Sequence, residues 1–109
     1  MAFQLSRNFN SEENLLVLKP IGELDIYSST DFKRIGEKEY QKYKTNIVID
    51  GKELTYLDST GLGTFIYLLN LIQQNGHKIQ IRDLSPNIRK LFTITQMEDL
   101  FEFEGDQDA

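Results

Sequence analysis

Asp58, Ser59 and Thr60 stand in a row between a short apolar segment and the strongest helical pattern of the chain, with Gly61 and Gly63 close behind. A carboxylate beside two hydroxyls invites a nucleophilic reading, which needs a base. The only histidine, His77, follows Gly76 in a turn with no evident partner and reads as a surface residue. Leu57 occupies the position where a Gly-x-Ser-x-Gly elbow needs its first glycine, and no Asp lies between Ser59 and His77 to complete the hydrolase order. Gly61-Leu62-Gly63 is not a dinucleotide fingerprint, because Ile66 stands at the third glycine position, and no phosphate loop with Gly-Lys-Ser/Thr is present. Acidic residues are scattered without calcium-loop spacing. The absence of cysteine removes disulfides, thiolate metal sites and thiol catalysis. The expectation is a protein with no catalytic residues, no cofactor and no metal, hence not an enzyme.

Two readings of Ser59 remain. In one, Asp58 and Ser59 cap the helix that follows. In the other, Ser59 is a switch. A helix N-terminus carries free amides and a partial positive charge, so a phosphate placed there is accommodated. Phosphorylation would add a charge of about −1.5 to −2 without unfolding the chain. Beside Asp58, such a charge acts on an interface, by repelling an acidic partner surface or by clashing with it. Gly61 and Gly63 either open the first turn to close approach by another protein or relieve backbone strain there.

The elements that must position this stretch follow from periodicity. Phe3 to Phe9 alternates as a half-buried strand. Asn10 to Asn14 is a polar turn, and Leu15 to Lys19 reads as a second strand ended by Pro20, pairing with the first as an antiparallel hairpin. Ile21 to Asp25 carries the chain across to Ser28 or Ser29, either of which suits the N-cap of a helix. That helix is expected to bury Phe32, Ile35, Gly36, Tyr40 and Tyr43 at period 3.6. Asn46 to Asp50 is a β-branched run of the kind buried on both faces inside a parallel sheet. Gly51 to Leu54 reads as a loop. From Thr60 to Gln74, Leu62, Phe65, Ile66, Leu69 and Ile72 mark one helical face, widened by Tyr67, Leu68 and Leu71, so the helix is deeply packed or has a partner-facing flank. Asn75-Gly76 ends it. Lys78 to Asp83 alternates as a strand, and Ser85-Pro86 starts a helix with Ile88, Leu91 and Phe92 on its buried stripe. Ile94 to Phe103 holds a short helix or strand, and residues 104 to 109 form a frayed acidic tail.

The order β-β-α-β-α-β-α with a C-terminal element predicts an α/β fold, a small mixed sheet with an N-terminal antiparallel hairpin and helices packed on it. A length of 109 residues suits a single domain over 1–109. Hydrophobic residues at 39% supply a core without metal or disulfides, and 27% charged residues suit a soluble protein. No stretch nears the roughly 18 uninterrupted apolar residues that span a bilayer, and no secretory signal is visible. A net charge of −5 argues against nucleic acid as partner, since phosphate contacts need a basic face. The expected setting is cytoplasmic, without membrane contact.

Leu57-Asp58-Ser59-Thr60-Gly61-Leu62-Gly63, together with Gly22-Glu23-Leu24-Asp25-Ile26-Tyr27-Ser28, closely resembles the bacterial anti-sigma factor antagonists of the STAS domain family. Leu84-Ser85-Pro86 through Ile94-Thr95 is similar to the family's Leu-Ser … Arg-Leu-Phe-x-Ile-Thr segment. Either of the first two motifs alone is weak; together they are specific, and the match covers nearly the whole chain. The resemblance implies partner switching. The unphosphorylated antagonist binds an anti-sigma factor that is also a serine kinase, which frees the sigma factor. The kinase phosphorylates the motif serine, here Ser59, and breaks the complex, and a metal-dependent serine phosphatase restores it. ATP and Mg²⁺ then belong to the partners. Asp25, Asp58, Thr60, Gly61, Leu62 and Gly63 are expected to line the interface, with Thr60 the second candidate acceptor. Asp-Ser-Thr with Asp-Ile-Tyr-Ser looks more like the general-stress antagonists than the sporulation ones, whose motif has a second serine. The family also includes non-phosphorylated scaffolds in stressosome-like or transporter-associated assemblies.

Overall fold

A computed structural model describes residues 3–104. Strand β1 (Gln4–Asn10) and strand β2 (Leu15–Leu24) form the expected antiparallel hairpin, with Phe9 opposite Leu16 and Leu5 opposite Pro20. β2 does not stop at Pro20 but runs on to Leu24. The reason lies in its neighbours. Leu15 to Leu18 pair in parallel with β3 (Asn46–Asp50), and Gly22 to Leu24 pair in parallel with β4 (Leu54–Leu57). Pro20 falls in the gap between these two ladders, where β1 alone is hydrogen-bonded to β2, and a missing amide is tolerated at such an edge. The register shifts at Gly22/Glu23, and Gly22 adopts φ 101°, a backbone conformation that only glycine takes up without cost. Beyond β3 come β5 (Ile79–Arg82) and β6 (Glu102–Glu104), both parallel, giving the order β1-β2-β3-β5-β6 with β4 set beside the far end of β2.

β4 is an addition to the expected order, since Gly51 to Leu54 had read as a loop running on into Tyr56-Leu57. Only Leu54 and Leu57 of this four-residue strand are buried. Ile47, Val48 and Ile49 of β3 are at most 1% exposed, as an interior parallel strand demands.

Helix α1 (Ser29–Tyr43) buries Phe32, Gly36 and Tyr40, while Ile35 and Tyr43 are only half-buried; Tyr43 stacks on Phe9 with ring centroids 4.1 Å apart. Helix α2 (Ser59–Gln73) buries Leu62, Phe65, Leu68, Leu69 and Ile72, and leaves a single exposed stripe through Ser59, Gly63, Tyr67 and Asn70. It ends before Gly76, which has φ 80°. Helix α3 (Pro86–Ile94) starts as expected, the Ser85 hydroxyl accepting from the Ile88 amide. Leu91 of its stripe is half-buried. The segment from Ile94 to Phe103 contains both a 3-10 turn (Glu98–Leu100) and the start of β6. Glu104, expected in the tail, belongs to β6; the remainder of the tail, 105–109, lies outside the described residues.

The core is one continuous cluster. Phe65 of α2 sits 5.3 Å from Phe32 of α1 and 6.2 Å from Phe92 of α3, and Phe92 meets Phe101 and Phe103 edge-on. His77 is not the lone surface residue it had seemed. Tyr40 is fully buried and its hydroxyl lies 2.6 Å from His77 Nδ1, while Asn75 Nδ2 donates to the same hydroxyl at 3.2 Å. A buried phenol needs such partners, so the histidine has a structural role. No helix among the described residues is long and apolar enough to cross a membrane.

Candidate functional site

Parallel pairing of β2 and β4 places Leu24 opposite Leu57, so Asp25 and Asp58 leave the same end of two adjacent strands. Each opens the way to a helix. Asp58 is the N-cap of α2: its backbone is extended (φ −104°, ψ −175°) and its carboxylate accepts from the Gly61 amide at 2.8 Å. Its own amide donates to the Leu24 carbonyl at 3.3 Å, tying the start of α2 to the end of β2. Capping therefore belongs to Asp58 alone. Ser59 is the first helical residue, exposed, and makes no side-chain hydrogen bond to any described residue. Its hydroxyl is free at the positive end of a fifteen-residue helix. Thr60, the other candidate acceptor, is exposed beside it.

The loop from β2 into α1 is held from within. The Asp25 carboxylate accepts from the amides of Tyr27 at 2.9 Å and Ser28 at 3.2 Å. Ser28 occupies the N-cap position of α1 but forms no capping bond; its hydroxyl instead donates to the Glu23 carbonyl at 2.8 Å and accepts from the Asp25 amide at 3.0 Å. The expectation of a capping serine fails because Asp25, three residues earlier, draws Ser28 back toward the strand.

The two glycines of the motif differ in kind. A Cβ on Gly61 would lie 2.4 Å from the Leu24 carbonyl oxygen and 2.7 Å from Leu57 Cδ1, so this glycine serves the close approach of α2 to β2. Gly63 has nothing within 4 Å of the same position and faces open space. Leu62 is 4% exposed and part of the core. Of the six residues expected to line an interface, the structure therefore brings Asp25, Asp58, Thr60 and Gly63 to one surface around Ser59. It turns Gly61 and Leu62 inward, because a residue three positions after the cap points at the sheet.

Residues not singled out from the sequence as contacts complete this surface. Ile26 and Tyr27 are 62% and 89% exposed, and Tyr56, opposite Glu23 in the sheet, is 48% exposed. The signal was available: two consecutive large apolar residues in a turn are out of place unless something covers them. A shallow groove of about 350 Å³ between the starts of α1 and α2 is lined by Ile26, Thr30, Lys33, Thr60, Gly63 and Tyr67, among others. Lys33 Nζ sits 4.2 Å above the Tyr67 ring, and the Tyr67 hydroxyl donates to Glu37 at 2.7 Å. Losing that proton would forfeit the hydrogen bond and set two negative charges together, which raises the Tyr67 pKa above its usual 10.0. In a spectrophotometric titration Tyr67 should ionise at higher pH than an ordinary exposed tyrosine. Glu37→Gln should bring it back, and a titration curve unchanged by that substitution would contradict the contact. Among the described residues no cluster of His, Asp or Glu is placed to hold a metal.

The mixed sheet with its antiparallel N-terminal hairpin thus carries, at the start of α2, a serine with no side-chain hydrogen bond to a described residue, beside a loop tied by its own hydrogen bonds. The chain belongs to the STAS domain family, whose model matches residues 6–108, and is accordingly a binding protein and not an enzyme. It is 31% identical over 90 residues to the anti-sigma-B factor antagonist of Staphylococcus aureus, covering 83% of each chain. Among solved structures it is similar to TM1081 of Thermotoga maritima, with a TM-score of 0.84, 17% identity, and 94% and 87% of the two chains covered. It also matches the anti-sigma factor antagonist SpoIIAA in its unphosphorylated form, with a TM-score of 0.71, 21% identity, and 98% and 91% coverage. The phosphorylated form of SpoIIAA from Bacillus superposes with a TM-score of 0.69 at the same identity, covering 99% and 96%.

Proposed function

We infer that this protein is an anti-sigma factor antagonist working by partner switching. Unphosphorylated, it binds an anti-sigma factor that is also a serine kinase and so releases the sigma factor. Phosphorylation of Ser59 switches binding off, and a serine phosphatase restores it. ATP and Mg²⁺ are the kinase's, and this chain supplies a substrate hydroxyl and a docking surface.

The observation that carries this reading is the division of labour at the start of α2. Asp58 does the capping, which leaves the Ser59 hydroxyl unengaged and accessible to a kinase. The identity to anti-sigma-B factor antagonists supports the partner class. The switch acts through volume and hydration more than through strain. A phosphate at Ser59 meets free space and helix amides in the isolated protein, so the fold tolerates it. In the complex, Gly63 lets a partner approach the first turn closely, and the dianion would have to lose its water against that partner beside the Asp58 carboxylate. Incubation with the anti-sigma factor kinase and ATP should give one phosphosite by mass spectrometry, at Ser59, and Ser59→Ala should abolish it. Phosphate on Thr60, or persisting in the Ser59→Ala variant, would contradict the assignment.

A further inference from the structure

Of the six large hydrophobic side chains exposed among the described residues, Ile26 and Tyr67 line the groove with Thr60 and Gly63, Tyr27 lines a recess with Asp25, and Tyr56 stands opposite Glu23. Ile26 and Tyr27 differ from the rest in being held out by construction. They sit at the tip of a loop fixed at both ends: the Asp25 carboxylate takes the amides of Tyr27 and Ser28, the Ser28 hydroxyl bonds back to the Glu23 carbonyl, and the Ser29 amide and hydroxyl both donate to the Asp25 carbonyl. A loop so closely tied loses little entropy on binding, and that is the condition under which exposed apolar side chains become strong anchors. The two point to different sides. Ile26 lines the groove with Thr60 and Gly63, directly beside the Ser59 turn. Tyr27 lines a recess with Glu23, Asp25 and Asp31, a rim of three carboxylates.

We propose that Ile26 and Tyr27 are the hydrophobic anchors by which this protein grips its anti-sigma factor, and that the anti-sigma factor offers an apolar socket rimmed by arginine or lysine. This rests on the function inferred above and adds the residues that carry the affinity and the chemistry of the surface they fit. Charge complementarity argues for the basic rim: Asp31 is paired with Arg34 at 3.2 Å, but Glu23 stands exposed beside Tyr27 with no ion-pair partner among the described residues, and an acidic partner would be repelled before any phosphate arrived. It also places the phosphorylation site against the Ile26 anchor, where water must be excluded, so that a phosphate on Ser59 would unseat the nearest strong contact.

The test is calorimetric titration of the anti-sigma factor into the wild-type chain and into Ile26→Ala, Tyr27→Ala and Glu23→Lys. Each anchor substitution should lower affinity by about 30-fold, with thermal stability unchanged because both side chains are solvent-exposed in the free protein. Glu23→Lys should slow association in stopped-flow mixing and reduce its dependence on salt. Near wild-type affinity in both anchor variants, while Ser59→Asp still breaks the complex, would overturn the anchors and leave the partner-switching reading standing. Unchanged association of Glu23→Lys would overturn the basic rim. A wild-type chain that binds no anti-sigma factor would overturn both proposals together.

Discussion

Gly61→Ala should destabilise the protein by about 1–3 kcal/mol, even though alanine is the better helix former. The two effects oppose each other. Replacing glycine by alanine inside a helix gains about 1 kcal/mol of propensity. The new methyl, however, would stand 2.4 Å from the Leu24 carbonyl oxygen and 2.7 Å from Leu57 Cδ1, and the first of these is backbone that cannot rotate away. Relieving it requires α2 to lift from the β2–β4 ladder, and such overpacking costs about 1–3 kcal/mol or more. The lift would also break the Asp58–Leu24 hydrogen bond that anchors the turn. For a domain of this size the loss corresponds to roughly 10 °C in melting temperature. Gly63→Ala is the internal control. With open space around it, the propensity gain is unopposed, and its melting temperature should equal or exceed that of the wild type. Equal melting temperatures for the Gly61→Ala variant and the wild type would contradict the close approach.

Phe65→Ala should cost about 3–5 kcal/mol, the range for removing a large aromatic side chain from a packed interior. Phe65 is fully buried and touches both Phe32 on α1 and Phe92 on α3, so its loss opens a cavity at the junction of all three helices. Denaturant unfolding should show the midpoint falling. The surface proposed to bind the partner includes the groove between the first turns of α1 and α2, so binding should weaken with it. A loss below about 1 kcal/mol would mean that the helices repack around the gap.

The sequence exposed the larger features because their signals are local. Alternation marked β1 and β5, the apolar run from Leu15 to Leu18 marked the first half of β2, the β-branched run marked β3, and Ser85-Pro86 marked the start of α3. What escaped was non-local. β4 has only two inward residues and exists because β2 runs past Pro20 to meet it, and a proline rule applied residue by residue ends β2 too soon. The partner of His77 is Tyr40, 37 positions away, and no spacing announces it. At the site, Ser59 was legible as a hydroxyl at a helix start, but its division of roles with Asp58 depended on which of the two adopts extended backbone. Gly61 and Gly63 look alike in the chain and differ in what lies behind them. Ile26 and Tyr27 were visible inside the motif that carried the family resemblance, yet their exposure depends on the Asp25 and Ser28 hydrogen bonds that turn the loop outward.

One phosphate on Ser59 is proposed to control binding to the anti-sigma factor. The most direct test is the dissociation constant for the anti-sigma factor, measured calorimetrically with the protein unphosphorylated and then stoichiometrically phosphorylated at Ser59. Phosphorylation should weaken binding by about 100-fold or more, the scale of an unpaired charge forced into an interface, while the Ser59→Ala variant treated identically keeps its affinity. Equal affinities for the two forms of the wild-type protein would contradict the account.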